Sequence, residues 1–168
     1  MAQEIINRVA NSPLVSLDLD EYMDQSERTD FDLKDGLFEG VMLREKHFRD
    51  FIKTFDWSHY QDKNVRIHCS EETIIPTWAY MLVASKLQGV ANIIVLGSAE
   101  DLEREIINYA IKRILEKDLH NAKVVIKGCG DIRSRDYAYF QLTKHLLPIV
   151  SSIMYGEPCS TVPVFKRK

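Results

Sequence analysis

Three cysteines carry most of the chemistry that this sequence offers. Cys69 closes the run Val65-Arg66-Ile67-His68-Cys69-Ser70. Cys129 stands in Gly128-Cys129-Gly130-Asp131, and Cys159 in Gly156-Glu157-Pro158-Cys159-Ser160. Each follows a run with the character of a β-strand. Thiolates suit zinc, iron and iron–sulfur clusters. Parallel strands of one sheet finish on one edge, the edge where open α/β sheets hold ligands. The placement therefore points to a shared site in which Cys69, Cys129 and Cys159 hold a metal ion or an iron–sulfur cluster. His68, Glu71, Asp131 and Glu157 are candidates for a fourth ligand or a supporting group. No C-x-x-C pair is present, so the site depends on the fold to assemble it.

Two other chemistries compete. One is a cysteine-nucleophile enzyme of sulfur or acyl transfer, with Cys129 or Cys69 attacking and His68 as the candidate base. The flanking glycines of Cys129 leave its thiol accessible, and a helix start nearby would favour the thiolate. The other is a non-catalytic, partner-binding protein whose cysteines are incidental, since cysteine is often a small buried hydrophobe. His68-Cys69 also has the look of a cysteine-phosphatase loop. That chemistry needs an arginine at the position where Ile75 stands, and Glu71 and Glu72 would repel the phosphate. The glycine pattern excludes a dinucleotide fingerprint and a Walker A loop, and no G-x-S-x-G is present.

The elements that must position these thiols follow from hydrophobic periodicity. A strand is expected at Leu14–Leu19. Thr29–Leu33 and Leu37–Leu43 flank Lys34-Asp35-Gly36, whose Asp-Gly predicts a β-hairpin. Helical spacing follows from Arg44 to about Phe55. Strands are then expected at Val65–His68, Asn92–Leu96, Lys123–Lys127 and Ser152–Tyr155. Helices fill the gaps at Pro76–Leu87, about Ala99–Glu116 and Arg135–Leu147, and Val162–Phe165 reads as a short edge strand. Strand ends recur at about 30 residues, the length of a βα unit. The fold class is α/β. A single domain over residues 1–168 is expected, with a Rossmann-like parallel sheet, crossover helices and an antiparallel extension built from the N-terminal strands. Residues 1–60 hold the N-terminal strands and one helix, and 61–168 the parallel βα core.

Composition narrows the setting. The chain has 168 residues, 45% hydrophobic and 28% charged, with net charge −3. That balance gives no general attraction to nucleic acid or to anionic membranes. No apolar run reaches the length of a membrane span, and Met1–Arg8 lacks the pattern of a signal peptide. A cytoplasmic protein with reduced thiols is expected. An uncovered edge strand makes a homo-oligomer an option.

Four segments carry a resemblance. Asn7-Arg8-Val9-Ala10, Pro76-Thr77-Trp78-Ala79-Tyr80, Val125-Ile126-Lys127-Gly128-Cys129-Gly130-Asp131 and Gly156-Glu157-Pro158-Cys159-Ser160-Thr161-Val162-Pro163 are similar to a bacterial family known only as a domain of unknown function. The likeness extends over nearly the whole chain. The resemblance implies an association with the sulfur-mobilisation (SUF) system of iron–sulfur cluster assembly. Partners from that system, and a cluster as cofactor, are what it would imply.

Overall fold

The computed structural model describes residues 14–128, 130–157 and 160–168. Its strands are β1 (Leu14–Leu17), β2 (Arg28–Asp32), β3 (Asn64–His68), β4 (Ile93–Leu96), β5 (Lys123–Ile126), β6 (Ser152–Glu157) and β7 (Ser160–Lys166). Its helices are α1 (Glu45–Thr54), α2 (Thr77–Leu87), α3 (Ala99–Leu115) and α4 (Arg135–Leu146). The α/β class holds, and every helix lies within a residue or two of its expected bounds. No helix among the described residues is long and apolar enough to cross a membrane.

The described residues form two compact units, Gln25–Ile106 and the remainder. In the first, β2, β3 and β4 make a parallel sheet in sequence order. Because right-handed crossovers that step in one direction put their helices on one face, α1 and α2 cover the same side. Alternation along the strands sends Phe31, Val65 and Ile67 to that side, where they are buried with Phe48, Ile52, Ala79, Val83 and Leu87. Phe55, Trp57 and Tyr60 ring Phe31 at centroid distances of 5.4, 5.2 and 6.0 Å. The Trp57 indole donates to the Ile52 carbonyl at 3.1 Å, which satisfies its one polar group.

In the second unit the sheet runs β1-β5-β6-β7. β1, β5 and β6 are parallel, and β7 returns antiparallel to β6. The crossover α4 buries Ala138, Leu142 and Leu146, spaced at helical repeats. α3, whose residues fall partly in each unit, buries Leu102, Ile106, Ala110 and Ile114 at helical spacing. It also buries Ile107 and Ile111, while Tyr109 is half exposed.

Two expectations are corrected. The N-terminal strands do not form an antiparallel extension: β1 and β2 each pair in parallel, and the antiparallel member is β7 at the other end of the chain. The Asp-Gly hairpin is also absent. Leu33–Gly36 is a turn of 3-10 helix, and only an isolated bridge joins Phe38 to Met42. The cause is local. The Asp32 carboxylate accepts from the Lys34 amide at 3.0 Å and caps the turn, and Leu33 is buried below it. Gly36 serves packing here, because a Cβ there would lie 2.7 Å from the rings of Phe48 and Phe51.

Candidate functional site

The two sheets also change what the strand ends can bring together. Cys69 follows β3 in one sheet, whereas Cys129 and Cys159 follow β5 and β6 in the other. The rule that parallel strands share an edge therefore links Cys129 with Cys159, on neighbouring strands, and leaves Cys69 out. Cys129 and Cys159 themselves lie outside the described residues. Among the described residues no group of three histidine, cysteine, aspartate or glutamate side chains could hold a metal ion.

In the Gln25–Ile106 unit, strand alternation puts Asp30, Asp32, Arg66 and His68 on the face opposite the aromatic core. The Arg66 guanidinium grips the Asp30 carboxylate through both arms, at 2.8 and 2.6 Å. That pairing holds Asp30 below the usual carboxylate range and Arg66 above its own. The Nε2 atom of His68 lies 3.4 Å from Arg66 and 3.9 Å from Asp30. Asp32 accepts from the backbone amides of Lys34 and Ser70 at 3.0 Å each. Burial pushes its carboxyl up, but the bonds from Ser70 and Lys34, with His68 nearby, outweigh burial and hold it at about 2. Cys69 turns the other way: half-buried against the core, its thiol donates to the Glu71 carbonyl at 3.6 Å. Glu71 is exposed. Cys69 and His68, adjacent in sequence, are thus placed on opposite sides of their sheet.

The carboxyl edge of the other sheet is richer. Lys127, just past β5, donates its amide to Leu17 at 2.8 Å and reaches Asp18 with its ammonium at 3.8 Å. Asp18 also accepts from the Asp20 amide at 3.2 Å, which shapes the 3-10 turn Leu19–Tyr22. Asp20 packs beside Gly130, 3.0 Å from where a Cβ would stand. A Cβ on Gly128 would lie 2.5 Å from the Tyr155 hydroxyl, so glycine is what admits that ring. Arg135, the first residue of α4, donates through Nη2 to the Gly128 carbonyl and to the Tyr155 hydroxyl. Arg135 also lies over the ring of Tyr139, one turn further on. Tyr139 meets Tyr155 edge-on at 5.2 Å. The Tyr139 hydroxyl is buried and has no hydrogen-bond partner among the described residues. Burial is the main cause that pushes its pKa up, with Tyr155, Asp18 and Asp20 adding to it and Arg135 opposing.

Below Arg135 a groove of about 460 Å³ opens between α4 and the β6–β7 pair. Of the candidate ligands in this unit, Asp131 is exposed and Glu157 is half-buried at the end of β6. The residues that sequence reasoning missed are Arg135, Tyr155, Asp18 and Asp20. The signal for Arg135 was present: a cation in the first turn of a helix is uncommon against the dipole, and asks for a local partner.

Over residues 3–167 the chain matches the family described as "Protein of unknown function (DUF2480)", and it belongs to that family. No curated protein and no solved structure matches it.

Proposed function

We propose that this DUF2480 protein works through the thiol of Cys129 at the carboxyl edge of the β1-β5-β6-β7 sheet, as a nucleophile in sulfur or acyl transfer. One observation carries the proposal: Arg135 bonds the carbonyl of Gly128, the residue before Cys129, and the Tyr155 hydroxyl at the mouth of a groove. A guanidinium anchored on the carbonyl of the preceding residue would favour the thiolate of Cys129, which is the reactive form. A pocket of this volume is of the size that takes small molecules. In acyl transfer the thiolate attacks the acyl carbon, forms a thioester and expels the donor's leaving group with its electron pair. The test is alkylation by iodoacetamide, followed at each cysteine by peptide mass spectrometry. Cys129 is expected to react about tenfold faster than Cys69, and to slow by about tenfold in Arg135→Met. Equal rates at the two cysteines would overturn the proposal.

A second reading keeps the metal. β5 and β6 are neighbours in one sheet, so the thiols that follow them, Cys129 and Cys159, belong to adjoining strand ends. Asp131 and Glu157 follow or close the same strands. On this reading they would bind iron, zinc or an iron–sulfur cluster, and partners of cluster assembly would follow. Elemental analysis and an absorption spectrum of protein purified without oxygen test it, with Cys129→Ala beside the wild type. Iron or zinc that falls sharply in the variant supports it. Protein still empty after reconstitution with iron and sulfide sinks it.

A further inference from the structure

The walls of the groove differ from its mouth. On β7, Val162 and Val164 lie on one face, and Val162 sits opposite Tyr155 across the β6–β7 pair. Both valines are largely open, at 62% and 51%, and Phe140 of α4 across from them is 67% exposed. Large apolar side chains facing each other over a cavity mark a binding surface more often than a random scatter. The mouth is polar and carries the Arg135 guanidinium. Arg135 spends Nη2 on Gly128 and Tyr155, and its Nε and Nη1 groups have no protein partner among the described residues. A buried hydroxyl without a partner is rare in native proteins, and the Tyr139 hydroxyl is one. It sits one helical turn from Arg135, so a ligand oxygen held at the mouth is the natural partner for both.

We infer that this groove binds a small amphipathic monocarboxylate, with its apolar body between Phe140 and the valines and its carboxylate on Arg135 and Tyr139. The inference names the ligand class of the site proposed above and rests on it for location alone, since the contacts it uses come from Arg135, Tyr139, Phe140 and the valines of β7. A doubly charged phosphate fits less well: Asp136 lines the same groove, and a single guanidinium beside a carboxylate suits one negative charge. An amine would meet Arg135 with like charge.

Methyl-labelled full-length protein, titrated with octanoate, octan-1-ol and octylamine, tests this by NMR. The three probes share one apolar body and differ in the head group. Octanoate is expected to shift the methyl signals of Ile126, Val162 and Val164, and to bind at least about tenfold tighter than the alcohol or the amine. In Arg135→Met that preference should vanish while octan-1-ol binds as before, a pattern that simple unfolding cannot give. Val164→Trp, at an exposed position, fills the groove and should abolish binding of both. Octan-1-ol binding as tightly as octanoate in the wild type, or groove methyls that never move, would overturn the inference. Slow alkylation of Cys129 together with octanoate binding overturns the thiol proposal and leaves the groove standing. Fast alkylation without octanoate binding does the reverse.

Discussion

Asp32 has a carboxyl held at about 2, and the sign of its effect on stability follows directly. A folded-state value below that of the unfolded chain, near 3.9, means that folding favours the ionised form. The stabilisation is therefore complete above about pH 4 and is lost as the pH falls towards about 2. Its side chain is only 14% exposed, so the contribution reaches at most about 2 kcal/mol. Urea unfolding at about pH 6 and about pH 2.5 should show the wild type losing up to about 2 kcal/mol more than Asp32→Asn over that interval. Parallel losses in the two proteins would show that the bonds from Ser70 and Lys34 contribute nothing. Gly128→Ala is a second case at this scale. Its new Cβ would press on the Tyr155 hydroxyl, displace the ring and loosen Arg135. Alkylation of Cys129 should then slow towards the rate of Cys69, with a melting temperature close to wild type. An unchanged rate would separate Arg135 from the thiol. The sequence made part of this legible: the alternation of Thr29-Asp30-Phe31-Asp32 and Val65-Arg66-Ile67-His68 announces one polar and one apolar face. It could not reveal that Arg135 meets Gly128 and Tyr155, because that meeting needs two strand ends and a helix start to converge.

Helices, and strands separated by helices, were legible because their signals are local. A stripe of apolar residues at a spacing of 3.6, or an apolar run between turn residues, needs no knowledge of distant partners. Lys34-Asp35-Gly36 shows where local signals mislead. Asp-Gly suits a tight hairpin because glycine tolerates positive φ, but Gly36 is not among the glycines with positive φ. Here the missing side chain makes room for the Phe48 and Phe51 rings of α1 to rest on the turn. Gly36→Ala should therefore cost about 1–3 kcal/mol through overpacking. Gly40, at φ +70 with nothing within 4 Å of a Cβ, tests the contrary case. Gly40→Ala meets only the backbone cost, about 1 kcal/mol. Denaturation midpoints should rank wild type above Gly40→Ala, and Gly40→Ala above Gly36→Ala. A Gly36→Ala protein as stable as the wild type would mean that α1 can lift from the turn at no cost.

The separation into two sheets was not legible, because strand order is set by pairings that sequence distance hides. β2, β3 and β4 pair in the order in which they are made, each joined to the next by one crossover helix. β1 instead waits for β5, and the whole Gln25–Ile106 unit separates the two along the chain. Closing a loop of roughly a hundred residues costs about 1 kcal/mol more than closing one of roughly thirty. Prior folding of the inserted unit shortens the span that remains to be closed. Two amides report the order. Gly97 donates to Ile67, next to the β3–β4 pairing, and Lys127 donates to Leu17, next to the β1–β5 pairing. In pulse-labelled hydrogen exchange during refolding of the full chain, Gly97 should gain protection before Lys127. Simultaneous protection would mean that the two units form in one cooperative step. Earlier protection at Lys127 would mean that the chain ends meet first and that loop length does not set the order.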